Sequence, residues 1–424
     1  MTSLLQARFL CKDDRYKVSD VPFALPTTAT SIELNAVINT LLDQQTSVES
    51  TSKSRPIDFD FLVDGEFLQT SLNDHVEAKD LSTETVLEIE YVVKSAPPQP
   101  KISVPHDDWV SSVACASDMI LSGSFDGTAR VLDKEGNCLA KLCGHDEAVK
   151  TVAWVTSDDS ELCIVTGSQD QEIRLWKLDC ESGEGSCQCV LKGHLQGVES
   201  LASSESTQML CSGSWDGTIK IWQTKHSTTP TPTPPQPKFK KGLGGRKRKL
   251  QPEPLTKNCL VTLSGHKQAV SSVLWLNSDS ICSAGWDHCI RLWDAESGVN
   301  TFTLTGTTVF RDVDYSPSSR LLASGGSDRH VRLWDPRSGD ENIVKMTLTA
   351  HAGWVSSVAW SPRREHQLVS ASYDTTIRHW DTRSPKKPLL LLREHSAKVF
   401  SIDWSISEVI ASGGADSRVI VHRT

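Results

Sequence analysis

The chain has 424 residues, 38% of them hydrophobic and 23% charged, with a formal net charge of −9. That length exceeds one ordinary core and suits two domains or one repeat architecture, while the acidic balance disfavours a broad nucleic-acid groove. The longest aliphatic run, Leu389 to Leu392, falls far short of the ~20 residues of a membrane span, and the start MTSLLQARFLCKDDRYK lacks a secretory signal pattern.

Residues 1–95 hold 8 Lys+Arg against 16 Asp+Glu and contain no repeat. LQARFLCKD and KVSDVPFALP predict two strands, and SIELNAVINTLLDQQ predicts a helix. That helix has a capping box from Thr30 to Glu33 and an apolar stripe at Leu34, Val37, Ile38, Leu41 and Leu42. DFDFLVDGEFL predicts a strand with a turn at Asp64–Gly65. TETVLEIEYVV predicts a last strand in which Leu87, Ile89, Tyr91 and Val93 alternate with polar neighbours such as Glu88 and Glu90. This β-β-α-β-β order resembles a ubiquitin-like roll; without a terminal Gly-Gly it does not imply conjugation.

From Ile102 to Arg423 the chain repeats. LSGSFDGTARVL, VTGSQDQEIRLW, CSGSWDGTIKIW, CSAGWDHCIRLW, ASGGSDRHVRLW, SASYDTTIRHW and ASGGADSRVIVH align on Asp126, Asp170, Asp216, Asp287, Asp328, Asp374 and Asp416. Successive aspartates lie 41–46 residues apart except for one gap of 71, between Asp216 and Asp287. The common spacing is that of a four-stranded propeller blade. A histidine precedes most of these aspartates (His106, His145, His194, His266, His351, His395), and a hydroxyl stands four residues before each. Trp follows six residues later at Trp176, Trp222, Trp293, Trp334 and Trp380.

Each repeat resembles a WD repeat, in which such His, Ser/Thr, Asp and Trp residues tie the strands of one blade together. Ser, His and Asp together invite a hydrolase reading, yet a catalytic centre is built once and a brace once per repeat. Blade 5 has TGTTVF where a Gly-His would stand, and blades 1 and 7 place Leu132 and His422 at the Trp position. Those three blades are expected to be braced less completely. After His422 only Arg423 and Thr424 remain, so KISV, Lys101 to Val104, is predicted to supply the last blade's fourth strand. The expected fold is mainly β: a seven-bladed WD-repeat β-propeller (96–424) preceded by a small α+β ubiquitin-like domain (1–95).

The long gap holds PTPPQPKFKKGLGGRKRKL, part of a segment, 227–256, with 7 Lys+Arg against 1 Asp+Glu. It falls between the third and fourth strands of blade 3 and is expected to be disordered. Lys240 and Lys241 followed by Arg246, Lys247, Arg248 and Lys249 resemble a two-part nuclear import signal. Phe239 is its one aromatic, whereas single-strand binders interleave several, so direct RNA contact stays open. Four of the seven residues before the repeat aspartates are aromatic: Phe125, Trp215, Trp286 and Tyr373. In a WD propeller they stand on the top face beside the central channel, with Trp109 and Trp354 nearby. Large aromatics anchor interfaces, so these six are the candidate partner-binding residues.

An acidic ubiquitin-like head, VPFALP within it and HDDWVSSV after it, joined to seven blades, resembles the Notchless-like WD-repeat family of ribosome assembly factors. The resemblance points to the WD-repeat subunit of the complex with pescadillo and the block-of-proliferation protein. It implies a non-enzymatic scaffold in large-subunit (60S) assembly and pre-rRNA maturation, acting on pre-60S particles in the nucleus, nucleolus and nucleoplasm. It also implies that Glu84, in STETVLEIEY, docks on the metal-ion-dependent adhesion site of the midasin ATPase by completing the partner's Mg²⁺ shell. No cofactor of the chain's own and no membrane partner are expected. The competing class is a substrate-receptor scaffold of a ubiquitin ligase, although nothing resembles an F-box. An enzyme is the weakest option, since no phosphate loop, metal spacing or single nucleophile motif is present.

Overall fold

The computed structural model describes residues 4–46, 56–81, 85–94, 98–156, 162–179, 184–204, 206–224, 254–337 and 344–424. Two compact units result, one around Met1–Pro98 and a larger one around Gln99–His379 and Leu389–Arg423.

The smaller unit runs β1 (Leu4–Leu10), β2 (Phe23–Pro26), α1 (Ser31–Thr46), β3 (Phe59–Val63), β4 (Glu66–Phe67), α2 (Leu72–Ala78) and β5 (Leu87–Val93). Its sheet has the order β2-β1-β5-β3-β4, with β1 parallel to β5 and the other neighbours antiparallel. The Thr30 N–H donates to the Glu33 carboxylate at 2.8 Å, so the capping box starts α1 where the sequence places it. Leu34 and Ile38 face the sheet fully buried, with Val37, Leu41 and Leu42 partly covered. Leu87, Ile89 and Tyr91 are buried in alternation, but Val93 is exposed at the strand end. Asp64 and Gly65 both have positive φ, 50° and 74°, as the tight β3–β4 turn requires.

Two local features depart from expectation. The second strand begins only at Phe23, because the preceding chain is held by a side chain instead of a ladder. Tyr91 Oη donates to the Tyr16 carbonyl at 2.6 Å and accepts from the Val18 N–H at 3.1 Å. And α2, one helix more than the sequence suggested, is started by Ser71, whose Oγ accepts from the Asp74 N–H at 3.2 Å.

The larger unit holds seven sheets, each with four antiparallel strands a to d that in six of them follow in chain order. Strands a neighbour one another in sequence order, and the a strand of blade 7 (Val399–Ile406) neighbours that of blade 1 (Val110–Ala116), which closes the ring. Blade 7 takes its fourth strand from the other end of the unit. Gln99–Pro105 pairs antiparallel with Arg418–Arg423, with Val104 opposite Val419 and Ile102 opposite Val421. These apolar residues cover a core of Val110, Val113, Ile120, Leu132, Ala411 and Val419 that spans blades 7 and 1. The fourth strand expected from KISV is therefore present, two residues longer at its start.

One expectation needs correction. Strand c of blade 3 ends at Gln223 and strand d begins at Val261, as the spacing required. The segment expected to be disordered through residue 256 nevertheless ends in a short strand, Leu255–Lys257, parallel to strand d of blade 2 (Glu184–Leu191). An outermost strand presents unpaired N–H and C=O groups, and a passing chain can satisfy them. The Lys192 N–H donating to the Lys257 carbonyl at 3.1 Å extends that pairing. The import-signal residues Lys240, Lys241, Arg246, Lys247, Arg248 and Lys249 lie outside the described residues, as does Glu84.

Candidate functional site: the top face of the propeller

A chain of largely buried polar groups ties the strands of a blade together. In blade 3, Trp222 Nε1 donates to Ser212 Oγ at 2.8 Å, Ser212 meets His194 Nε2 at 2.7 Å, and His194 Nδ1 meets Asp216 at 2.9 Å. Blades 2 and 4 repeat all three links, through Trp176–Thr166–His145–Asp170 and Trp293–Ser283–His266–Asp287. Burial alone would raise the pKa of Asp170, Asp216 and Asp287; the histidine bond together with backbone N–H donors and neighbouring side chains outweighs it and holds all three below the usual carboxylate value.

The three irregular blades are incomplete, as their sequences require. In blade 5 Trp334 still reaches Ser324 at 2.8 Å, but with no histidine Asp328 Oδ1 has no hydrogen-bond partner. Blade 7 keeps His395 on Ser412 and Asp416, while His422, at the Trp position, turns to Glu394 at 3.2 Å. In blade 1 His106 Nε2 meets Ser122 at 2.8 Å, yet its buried Nδ1 is unpartnered. Arg130 of the same blade pairs with Asp107 and lies 3.7 Å from Asp126.

The braces hold the b–c turns on the top face, and a second bond locks each turn to the ring. The N–H of the residue before every repeat aspartate donates to a carbonyl just ahead of its own blade's strand a. The seven donors are Phe125, Gln169, Trp215, Trp286, Ser327, Tyr373 and Ala415, at 2.8–3.1 Å. Side chains at these positions therefore stand on one rim.

Among the described residues that rim carries two aromatic groups. Trp354 stacks on Tyr373 at 5.6 Å, Tyr373 meets Phe400 at 5.7 Å, and Phe400 meets Trp109 at 5.8 Å and Phe125 at 6.2 Å. This arc spans blades 6, 7 and 1. Trp215 and Trp286 form a separate pair, with ring centroids 5.1 Å apart. Trp109, Trp215 and Trp354 are 46%, 44% and 47% exposed, whereas Phe125, Trp286 and Tyr373 are half-buried. The structure thus brings four of the six predicted residues together and leaves two as a neighbouring pair. Phe400 was missed, because it is the second residue of a strand a and reads as strand, not turn.

Lys150 lies 4.5 Å over the Phe125 ring, and Arg311 and Lys398 lie 5.4 and 5.1 Å from the Tyr373 ring centroid. Over blades 2 and 3 the face changes sign. A recess of about 520 Å³ there is lined by Asp146, Glu147, Asp170 and Glu199 beside Trp215, whose Nε1 donates to Glu199 at 2.8 Å.

Beneath the rim, hydroxyls and one carboxylate at the third residue of strand a link blade to blade. Ser112 accepts from the Val152 N–H at 3.3 Å, Ser200 from Val273 at 3.0 Å, and Asp312 from Val358 at 3.0 Å. Ser401 accepts from Val113 at 3.2 Å, which carries the pattern across the closing step. Burial raises the pKa of Asp312 and Asp403, and takes that of Asp314 to about 7 with Asp312 and Asp403 adding repulsion. Among the described residues no group of three His, Cys, Asp or Glu side chains could hold a metal ion.

Family models match this chain twice. The NLE (NUC135) domain model covers residues 5–76, and the WD domain, G-beta repeat model matches seven times, at 99–133, 136–177, 185–223, 257–294, 298–335, 343–381 and 386–423. Curated relatives align end to end. A "Ribosome biogenesis protein WDR12 homolog" of Nematostella vectensis is 45% identical, covering 99% of both chains. Its namesake in Ixodes scapularis is 37% identical over 99% of this chain and 98% of the relative, and that of Drosophila erecta 36% over 99% and 95%.

The orphaned His106 makes a prediction. Burial, then Arg130, lowers its pKa to about 4, whereas an unfolded histidine titrates near 6.5. Below about pH 6.5 the unfolded chain binds a proton that the folded chain refuses, so stability falls as pH drops from there towards about 4. His106→Gln should therefore flatten the pH dependence of the urea midpoint across that window. The raised Asp312 and Asp314 slope the other way in both proteins and cancel in the comparison; parallel wild-type and variant profiles would contradict the assignment.

Proposed function

Because the chain belongs to the WDR12 family of ribosome biogenesis proteins, we propose that it is a non-enzymatic scaffold in assembly of the large ribosomal subunit. The observation that supports this most is the rim. All seven braces use their Ser/Thr and His or Trp groups for structure, and the exposed feature they leave is an aromatic rim suited to docking rather than a reactive centre. In this reading the propeller docks through Trp109, Phe125, Trp215, Trp286, Trp354 and Tyr373 on the propeller of the block-of-proliferation protein. Pescadillo completes the complex on pre-60S particles in the nucleolus and nucleoplasm. The basic residues Lys240, Lys241 and Arg246–Lys249 direct nuclear entry, so their replacement by Ala should leave a fluorescent fusion cytoplasmic.

The head supplies release. Glu84 immediately precedes the described stretch that enters β5, and a carboxylate there would fill the open position of a partner's octahedral Mg²⁺. ATP-driven pulling by midasin would then strip the protein from the particle. The chain needs no cofactor of its own for either step. A ubiquitin-ligase receptor would share the propeller but would not need this acid.

Two measurements test the reading. Trp215→Ala with Trp286→Ala should weaken the propeller complex by about 2 kcal/mol or more. Since the two rings touch, tilted by 53° with centroids 5.1 Å apart, the double variant should cost less than the sum of the singles. A folded double variant with wild-type affinity would remove this site. Glu84→Ala and Glu84→Asp should each abolish Mg²⁺-dependent binding to the adhesion domain while leaving the propeller complex intact. Binding that survives both Glu84→Ala and EDTA would place the hook elsewhere.

A further inference from the structure

Among the described residues, two cations on the rim have no acid to pair with. Arg311 is the second residue of blade 5's strand a (Phe310–Ser316), and Lys398 immediately precedes that of blade 7. Both approach the ring of Tyr373, at 5.4 and 5.1 Å. Among the described residues neither forms a salt bridge, and Arg311 Nε is buried without a hydrogen-bond partner. Three other basic groups of the propeller do find an acid, although Arg291 Nε too is buried without a hydrogen-bond partner. Arg291 and Arg332 pair with Asp287 and Asp328 of their own blades, and Lys150 over Phe125 has Glu199 at 3.9 Å. A buried donor left unmade is costly, and a guanidinium beside an aromatic ring keeps its N–H fork free for a planar anion.

We propose that Arg311, Lys398 and Tyr373 form a seat for a single carboxylate carried by the protein that docks on this face. The proposal rests on the reading of the aromatic rim as that docking surface. A nucleic acid would also bring anions, but its phosphates come in a row. A strand crossing this rim would meet Asp146, Glu147, Asp170 and Glu199 around Trp215, on a chain of net charge −9. A single acid beside apolar anchors avoids that repulsion.

The seat answers a need that the ring itself creates. Seven similar blades present similar turns, so aromatic anchors spread around the rim leave the partner's rotation about the ring axis weakly defined. One ion pair, at one blade junction, favours a single rotation, and the acidic recess penalises the others for an acidic contact.

The test uses the full-length chain and, as probe, the propeller of the block-of-proliferation protein, with affinity followed by calorimetry at low and physiological salt. Arg311→Glu should weaken binding about tenfold or more, and Arg311→Lys should lose only part of it. Lys398→Glu, at an exposed position, should weaken binding too and gives the same reading if Arg311→Glu fails to fold. One Asp or Glu of the probe changed to Arg should restore binding to Arg311→Glu. If both charge reversals bind as wild type while Trp354→Ala weakens the complex, the carboxylate seat is wrong and the docking face stands. If Trp354→Ala and Trp109→Ala also bind as wild type, the docking face itself is wrong. A 20-nucleotide single strand that binds the wild type and not Arg311→Glu would overturn the proposal in favour of nucleic acid.

Discussion

The propeller depends on one antiparallel pairing, that of Gln99–Pro105 with Arg418–Arg423. Every other blade draws its four strands from a continuous stretch, whereas blade 7 joins the two ends of the unit. The pairing satisfies the backbone of the last strand and places Ile102 and Val104 over the core shared by blades 7 and 1. Without it the ring would have an open sheet edge and an uncovered apolar seam, both of which invite association. The strand-a links around the channel extend the same closure, since Ser401 reaches Val113 across the joint between blades 7 and 1.

Closure matters because the rim is a property of the whole ring. The internal braces fix each b–c turn within its blade, and the seven backbone bonds fix each turn against its own strand a. The arc from Trp354 to Trp109 crosses three blades, including the two joined by the borrowed strand. Its ring contacts of 5.6–6.2 Å persist only while those blades keep their spacing. A binding surface of large aromatics on a preorganised frame loses little conformational freedom when it docks.

Much of this was legible in the sequence because a repeat prints the same physics seven times. The aspartate spacing, the missing brace members and the spare strand at Lys101–Val104 follow from counting. The head was legible where periodicity was long, as in α1 and β5, and less so where it was short. Helix α2 has seven residues, and its signal was a single Ser71 cap. The parallel strand Leu255–Lys257 has three residues, and its partner is set by tertiary proximity rather than pattern. Phe400, Arg311 and Lys398 escaped for a related reason. Each belongs to a strand a or the loop before it, and only the superposition of blades shows that these positions face the rim. The third-residue hydroxyls of strand a were visible as Ser112, Ser200, Ser272, Ser357 and Ser401, but their use between blades needs the ring.

The most direct test of the account is a comparison of two shortened chains, one beginning at Gln99 and one at His106, by hydrogen exchange. The chain from Gln99 should protect the amides of Arg418–Arg423 as fully as the other third strands and unfold in one transition. The chain from His106 should lose that protection, expose the seam between blades 7 and 1, and associate. Equal protection and equal unfolding in the two chains would contradict the claim that the borrowed strand closes the ring.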